Sequence, residues 1–486
     1  MGFVFGATIM VGAAGAFTGS AGETLVLAGC LAFLSVMFAR ERHRFVAVAL
    51  AGLLLGYGVT AYRVDRVRSV DHPTPFPSEF AGTVASDPRL GSVNHSARVA
   101  WRFEDGQSAE SLVLYPGTSD AGRGDTVFVV GTWSTTVENL LFADKVEVVE
   151  EAGPVERLRR SIRASATTRV LERVPGSNGS LALGLIIGDD SGLTAQERAD
   201  LRASGLSHIT AVSGSNVAMV IAAVALMLQA LGRRGRYWLA AQASGIVFYV
   251  WIIGADPPIL RAAIMGSLVL VAGAIGRPTH LFTLLFLAGG AMCLLDPDVL
   301  LSLSFQLSFL SMIGLAIAGD YISRTTGYRR KIIAAVLSPA GAAIATAPLL
   351  AARFGTFNPG TLPANVIVAP IVTPATGLAA LAAVIPDGFF TGYLIGFVLW
   401  MLTGVVLSVS ALISSLPYAT WTFSELTNAQ TLACYLALGA VMLPFIPEAR
   451  LLVFRLRVRA HDAPGLAAAS VMTCVVMLGA LSFIID

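Results

Sequence analysis

Long apolar runs separated by short polar segments dominate the chain. A transmembrane helix needs roughly 17–25 mostly apolar residues, and three runs of that length open the sequence. Ten more follow a polar insert, so the pattern predicts about thirteen spans. Pro370 and Pro374 leave open a division of one run into re-entrant pieces. The predicted spans lie near 3–19, 22–38, 45–62, 213–231, 236–254, 258–275, 279–295, 300–319, 332–352, 363–385, 390–416, 429–447 and 465–485.

The insert, at about 70–150, changes to alternation of apolar and polar residues, which is typical of β-strands. Turn-forming glycine or proline separates the alternating runs at 105–106, 116–117 and 122–124. Five short strands in so few residues predict a small barrel of the OB type. The predicted strands are Phe80–Ala85, Ser96–Phe103, Ser111–Tyr115, Thr126–Trp133 and Leu141–Val149.

Composition supports an integral membrane protein, because 55% of the residues are hydrophobic and 13% are charged. The expected fold class is a polytopic α-helical membrane protein with an inserted external β-barrel. Short loops rich in Lys and Arg stay in the cytoplasm. The basic clusters fall on one side if the N-terminus is cytoplasmic, which leaves the barrel outside a bacterial cytoplasmic membrane. These clusters are 40–44, 233–236, 329–331 and 450–459.

The barrel has little of the charge that nucleic-acid binding needs. Residues 78–150 contain eleven acidic and five basic side chains, and this net negative charge disfavours a strong grip on DNA. Trp101, Phe103, Tyr115 and Trp133 can stack bases or fill the barrel core. Both interpretations stay open at this point.

A basic helix is predicted after the barrel. Val155, Leu158, Ile162, Ala166 and Val170 recur at helical spacing, and arginines occupy the other faces. Such a helix can lie on anionic lipid head groups or form a cationic collar at a pore mouth. The collar interpretation assigns three arginines to the pore entrance, namely Arg157, Arg160 and Arg163.

Polar residues and glycines gather at the start of the next apolar run, within 205–216. Lipid offers no hydrogen-bond partners, so polar groups at membrane depth persist mainly where they line a cavity or permit an unwound backbone. This segment therefore predicts a path for a transported substrate. The residues assigned to it are His208, Ser213, Gly214, Ser215 and Asn216.

Two polar side chains extend the predicted path. Arg261 begins an otherwise apolar run, and a buried arginine needs an anion, either Asp256 or a phosphate in transit. Snorkelling of Arg261 to the membrane interface is the alternative. Gln306 lies inside another run, where its amide can bond a neighbouring helix or face the path.

Asp189 and Asp190 precede a helix start signal. Thr194 can cap the helix, and Glu197 completes a capping box. The two aspartates are therefore turn and cap residues, or they shape the pore entrance.

Catalysis and metal binding receive little support from the sequence. Ser213 and His208 suggest a nucleophile and a base, but five helical residues turn about 140° net, which puts them on different faces. None of the six histidines is close enough to another to suggest a metal site. We expect neither a catalytic residue, a metal nor a cofactor.

Several spaced motifs resemble the competence domain of the ComEC family. They lie in the family's order at 183–193, 205–216, 260–262, 276–277, 296–297 and 304–309, followed by Asn365 and Pro370. Three helices, an external barrel, a basic helix and a helical bundle also follow the family's order. The resemblance implies a channel for single-stranded DNA in natural transformation, and it adds Asn365 to the path. It also implies a separate DNA receptor, an ATP-driven translocase and a nuclease as partners.

Two features depart from that family. Many members carry a C-terminal metallo-β-lactamase-like domain, and no such motif is found here, so we expect no nuclease activity from this chain. Many relatives also have a histidine shortly after the Ser-Gly pair, where this chain has Ser215 and Asn216. Any role of that histidine does not transfer, although Asn216 can supply hydrogen bonds.

The sequence predicts four segments. These are a three-helix membrane segment (1–69), the external barrel (70–153), a basic helix with the pore-entrance segment (154–205) and a channel domain (206–486). The predicted function is an inner-membrane channel for uptake of single-stranded DNA, in contact with membrane lipid and able to form a homo-oligomer. The alternatives are a transporter of a smaller anionic or lipid-linked solute and, less favoured, an intramembrane serine hydrolase.

Overall fold

The computed structural model describes Met10 and most of residues 78–442. Met10 aside, the three spans predicted before residue 63 and the last predicted span lie outside the described residues. The gaps within 78–442 are 91–93, 103–107, 117–118, 120, 135–139, 211–213, 231, 233–235, 278–280, 324, 387–389, 418 and 425.

A closed five-stranded barrel forms the insert. Its strands follow each other around the ring in the order β1, β3, β4, β6 and β5, and β4 and β6 are the one parallel pair in that ring. The two-residue β2, too short for a pattern to reveal, pairs with β3. The predicted small barrel is confirmed. Its strands are β1 (Glu79–Val84), β2 (Arg89–Leu90), β3 (Asn94–Arg102), β4 (Ser108–Pro116), β5 (Thr126–Trp133) and β6 (Leu140–Glu150).

Aromatic side chains fill the interior of the barrel. Trp101 and Tyr115 are each 2% exposed. Phe80 stacks on Trp101 with ring centroids 4.7 Å apart and on Trp133 at 6.1 Å. The core-filling interpretation is therefore the correct one for Trp101 and Tyr115, because a buried ring has no face free for a base. Phe103 lies outside the described residues.

Helices make up most of the rest of the described chain, beside a two-stranded pairing of Thr356–Phe357 with Trp421–Thr422. Five of them are long and apolar enough to cross a membrane, as expected for a membrane protein. These five are α6, α8, α9, α10 and α11. The described helices are α1 (Pro154–Arg173), α2 (Ser177–Ile187), α3 (Ala195–Ala203), α4 (Gly214–Ala230), α5 (Arg236–Ile253), α6 (Pro257–Ala274), α7 (Leu281–Leu295), α8 (Leu303–Ser323), α9 (Gly327–Phe354), α10 (Thr361–Val384), α11 (Phe390–Ser414) and α12 (Asn428–Met442).

From α4 to α11, consecutive helices pack side by side and are joined by short connections, so the chain reverses direction at each one. Pro370 and Pro374 lie inside α10, which continues through both, so the run does not divide there. We call the end where α5 finishes and where α6 and α10 begin the barrel end. The far end is where α10 finishes and α11 begins. Helix α10 has 24 residues, about 36 Å of length between the two ends.

Arg159 joins the barrel to the bundle. Its side chain is buried and donates from Nη1 and Nη2 to the two carboxylate oxygens of Asp87, at 2.8 and 2.5 Å. It also donates from Nη1 to Glu156 at 2.6 Å and from Nε to the carbonyl oxygen of Trp251, at the end of α5, at 2.7 Å. The last carbonyls of a helix lack intrahelical partners and attract cations. The buried charge is therefore stabilised on all sides.

A second ion pair fixes the start of α1 to the barrel. Arg160 pairs with Asp125 at 2.9 Å. Asp125 also accepts hydrogen bonds from the backbone N–H of Gly122 at 2.9 Å and of Ala152 at 2.7 Å. Burial favours a raised pKa for Asp125, but the bond from Arg160 and these backbone bonds outweigh it and lower that pKa.

The other end of α1 reaches the far end of the bundle. Arg169 donates to the carbonyl oxygen of Ala383 at 3.3 Å. Arg173 donates to the carbonyl oxygens of Ala382 and, at 2.8 Å, Ile385. Arginines of α1 therefore cap the C-termini of two bundle helices, α5 at the barrel end and α10 at the far end.

The apolar residues at the start of α1 do not pack against the described chain. Val155 is 63% exposed and Leu158 is 56% exposed, whereas the Arg159 side chain and Val170 are buried. Apolar spacing identified the helix but not its orientation, because carbonyl and carboxylate oxygens make the buried site favourable for a guanidinium.

Helix α2 was missed by the search for spans, since it has only 11 residues. Every residue from Gly179 to Ile187 is buried. The helix ends at Gly188, whose φ of 76° is the left-handed conformation that glycine adopts without strain. Its apolar residues pack against α10 and α11 in the largest described core.

We predict that Arg159→Met strongly destabilises the junction between barrel and bundle. The substitution removes both hydrogen bonds to the Asp87 carboxylate and the bond to the Trp251 carbonyl oxygen, at a cost of about 3–5 kcal/mol. The measurement is the thermal unfolding of the purified full chain in detergent. Arg157→Met is the matched control, because Arg157 is exposed and, of the described residues, forms an ion pair with Glu151 alone, at 3.4 Å. Equal losses in the two variants would contradict the assignment.

Acid is predicted to weaken the same junction. Burial favours a raised pKa for Asp87, but the bond from Arg159 and the charges of Arg163 and Arg123 outweigh it and lower that pKa. The pKa of an aspartate in an unfolded chain is about 3.9. The stabilisation by Asp87 and Asp125 is therefore present above about pH 4 and is lost as the pH falls through their lower folded values. Thermal unfolding measured between neutral and acid pH should show this loss of stability. The loss should be smaller in an Asp87→Asn, Asp125→Asn double variant.

Candidate functional site

Arg261 lies at the barrel end of the bundle, in the second turn of α6, and is 6% exposed. Its Nη1 donates to the backbone oxygen of Ser308 at 2.5 Å and to the Ser308 hydroxyl. Its buried Nε has no hydrogen-bond partner among the described residues. The side chain therefore points into the bundle towards α8, and it does not snorkel to the membrane interface.

No described carboxylate neutralises Arg261. Asp256 is exposed at the N-cap of α6 and makes no ion pair with this guanidinium. A buried guanidinium without a counter-ion attracts an anion strongly, because the low dielectric of its surroundings screens its charge poorly. Ser308 supplies neutral oxygens, which orient Arg261 but bring no negative charge.

The N-terminus of α4 meets Arg261. A Cβ added to Gly214 would lie 3.4 Å from Nη2 of Arg261 and 3.2 Å from Cβ of Ala262. Glycine therefore permits the close approach of the two helices. The first N–H groups of a helix carry partial positive charge and bind anions, so α4 and Arg261 direct positive potential at the same place. Ser213 lies outside the described residues, and only the backbone of Ser215 is described.

Asn216 ties the start of α4 to α2. Its side chain is buried, and Nδ2 donates to the carbonyl oxygen of Leu185 at 2.8 Å. Leu185 lies in the last turn of α2, where carbonyls have no partner within the helix. Asn216 therefore links two helix ends that meet inside the bundle.

The other predicted path residues make local bonds. His208 is exposed in a 3-10 turn, with Nδ1 3.0 Å from the backbone oxygen of Gly205. Gln306 donates to the carbonyl oxygen of Leu300 at 2.9 Å, and Asn365 donates to that of Thr361 at 2.8 Å. Gln306 therefore stabilises the turn before α8. The bond from its Nε2 stays within this connection and does not reach another long helix.

The loop after α2 holds the two predicted aspartates. Asp189 accepts the backbone N–H of Ser191 at 3.1 Å, and Asp190 accepts the hydroxyl of Thr210 at 3.2 Å. The capping box predicted for the next helix, α3, is confirmed, with Thr194 and Glu197 bonded reciprocally. Asp189 and Asp190 thus act as turn residues, which position the chain leading to α4.

Arg157, Arg160 and Arg163 lie where α1 leaves the barrel, and each has an acidic partner. Arg163 is 3.7 Å from Asp87 and donates to the carbonyl oxygen of Ile252 at 2.9 Å. Because these arginines are paired, the positive potential of this region is smaller than the six arginines of α1 would give alone. Their role at a pore entrance stays a prediction.

Sequence reasoning missed Ser308 and Leu185. Ser308 belongs to the 304–309 motif, but its tie to Arg261 depends on the packing of α6 against α8. Leu185 contributes a backbone oxygen, which no residue type reveals.

Comparison with known proteins bears on this group of residues. The sequence profile of a family described as Competence protein matches residues 185–447, more than half of the chain. The chain belongs to the competence protein family. The ComEC family membership expected from the motifs is thus confirmed, and the matched range contains Arg261, Ser308 and Asn216.

One relative of this competence protein is ComE operon protein 3 of Bacillus subtilis (strain 168). The two are 21% identical over 370 residues, which are 70% of this chain and 46% of the relative. The chain therefore spans about half the length of the curated relative that it matches. No solved structure matches.

Gly205→Ala is predicted to disturb the approach to the site. Gly205 has a φ of +72°, and an added Cβ would lie 2.8 Å from Cβ of Thr361 at the start of α10. Gly276→Ala is the matched control, because Gly276 has a φ of +67° with no atom within 4 Å of the added Cβ. Backbone strain costs both variants about 1 kcal/mol, and overlap adds to it only at Gly205. Thermal unfolding of the two purified variants measures the difference, and equal losses would contradict this packing.

Proposed function

We propose that this competence protein is a channel of the bacterial cytoplasmic membrane that takes up single-stranded DNA during natural transformation. The observation that carries the proposal is the buried Arg261, which has no carboxylate partner among the described residues. A phosphodiester supplies the missing negative charge, and a guanidinium suits its oxygens. The protein acts as a conduit and not as an enzyme, and it uses no cofactor.

Uptake needs contacts that hold the strand only briefly. Conduction requires binding sites that attract the strand enough for it to enter and hold it weakly enough for it to leave. One uncompensated arginine, one helix N-terminus and a few amides and hydroxyls meet that requirement better than a dense row of lysines. The proposed path therefore runs beside 205–216, 258–262 and 304–308, with Gln306 and Asn365 at its margin.

The barrel is proposed to be of the OB type and to lie outside the membrane. Its closed five-strand ring with one parallel pair supports that type. Burial of Trp101 and Tyr115 and the net negative charge argue that it does not grip DNA by stacking or by charge. We assign it the role of a scaffold at the channel mouth.

The orientation of the chain and its partner proteins are also part of the proposal. The N-terminus is cytoplasmic, and DNA is delivered from outside by a separate receptor. A separate ATP-driven translocase supplies the driving force, as the resemblance to the ComEC family implies. A separate nuclease supplies single strands.

We predict that Arg261→Ala lowers uptake of labelled single-stranded DNA by about tenfold or more, since a hydrogen bond to a charged group contributes roughly 1.5–3 kcal/mol. Uptake is measured in cells of the source organism from which the chain has been deleted and then restored as wild type or variant. Arg261→Lys should recover part of the activity, because it keeps the charge but loses the planar geometry.

Arg277→Ala is the matched control, because Arg277 is exposed in the connection after α6. Membrane abundance of each variant is measured alongside uptake. Unchanged uptake after deletion of the chain would remove the DNA channel from consideration and favour a transporter of a smaller anionic or lipid-linked solute.

A further inference from the structure

Two neighbouring helices of the bundle each carry a buried donor without a hydrogen-bond partner. One donor is Nε of Arg261 on α6. The other is the hydroxyl of Tyr249 on α5, which is buried and has no hydrogen-bond partner among the described residues. Burial of a hydroxyl without a partner costs free energy, and a phenylalanine would fill the same space without that cost. A partner from outside the described residues would remove it.

The two donors lie at the same depth in the bundle. Helix α5 ends at Ile253, and α6 begins at Pro257. Tyr249 and Arg261 therefore each lie four residues from the barrel end of their helix, which is about 6 Å. Helices α5 and α6 pack against each other, and both pack against α4. The two side chains thus occupy one level of the same group of three helices.

The first turn of α4 lies against both donors. Gly214 permits the close approach of Arg261. Tyr249 packs against the cluster that contains Val217, and its hydroxyl lies beside the side chain of Asn216, outside hydrogen-bonding geometry. The N–H groups of this turn carry partial positive charge. A guanidinium, a phenol and a helix N-terminus are therefore grouped within the span of residues 214–217.

We propose that Tyr249 contacts the transported strand, and that its hydroxyl donates to a phosphate oxygen at the site where Arg261 supplies the charge. The inference rests on the proposed function, because that function provides the phosphate. A phosphodiester carries two non-bridging oxygens, so it can accept hydrogen bonds from a guanidinium and a phenol together. A neutral donor adds a bond without adding charge, which keeps the site weak enough for the strand to leave.

Tyr249→Phe separates contact with the strand from simple packing. The ring stays in place and only the hydroxyl is lost. Removal of a buried hydroxyl that has no partner leaves the stability of the free protein unchanged or raises it. Uptake of labelled single-stranded DNA should nevertheless fall roughly tenfold, since the lost bond is one to a charged group.

Uptake is measured in cells from which the chain has been deleted and then restored as wild type or variant. Membrane abundance of each variant and thermal unfolding of the purified full chain in detergent are measured alongside. Unchanged uptake would overturn the inference, because Tyr249 would then only fill space. A lower unfolding temperature would also overturn it, because the hydroxyl would then have a partner in the free protein.

Tyr435→Phe is the matched control and should give the opposite pair of results. The hydroxyl of Tyr435, on α12, donates to the carbonyl oxygen of Ala345 at 3.3 Å. Loss of this hydrogen bond should lower the unfolding temperature. DNA uptake per molecule in the membrane should stay unchanged, because Tyr435 lies away from the proposed path.

A double variant shows whether the two donors serve one site. Two residues that hold the same phosphate are coupled, so the loss of uptake in Tyr249→Phe, Arg261→Ala should be smaller than the product of the two single losses. A loss equal to that product would overturn the shared site. Reduced uptake in Arg261→Ala with normal uptake in Tyr249→Phe would reject Tyr249 and leave the proposed function intact, whereas normal uptake after deletion of the chain would reject the proposed function itself.

Discussion

Burial of a guanidinium is the constraint on which the described structure depends. Arg159 has no exposed surface, and its donors reach carboxylate oxygens of the barrel and carbonyl oxygens of α5 at once. A permanently charged group in such a place is stable only when its donors have acceptors. The barrel, the first turns of α1 and the end of α5 must therefore assemble in one arrangement. The same rule applies again at the far end, where Arg173 binds the last carbonyls of α10.

Arg261 is the contrasting case. Both arginines are buried, but Arg159 has two carboxylates, whereas Arg261 has only the neutral oxygens of Ser308 among the described residues. The first arrangement leaves no reason for the side chain to move or to bind a ligand. The second leaves Nε without a hydrogen-bond partner, and the charge without a carboxylate, within the part of the chain that the structure describes. This difference in partners separates a structural arginine from a functional candidate. It cannot be predicted from the residue type alone.

Local patterns predicted what depends on local physics. Alternation located the strands of the barrel, Thr126–Trp133 to the residue, and the Thr194–Glu197 spacing identified a helix start. Arg261 was singled out because a charge stands out in an apolar run. Long-range packing was beyond such reasoning: α2 is too short for a span, and the oxygens of Leu185 and Ile252 that bind Asn216 and Arg163 belong to the backbone. The burial of Arg159 was hidden for the same reason, because two of its acceptors are carbonyl oxygens of α5.

The bonds between α1 and α10 also constrain the order of assembly. Arg169 and Arg173 find their acceptors in residues 214 and 209 positions later in the sequence. When α1 is synthesised, those carbonyls do not yet exist, so Arg169 and Arg173 lack these acceptors. Helix α1 therefore cannot pack against the end of α10 until α10 has been inserted into the bilayer. In this protein an early segment therefore docks onto a late one, against the direction in which the ribosome delivers the chain.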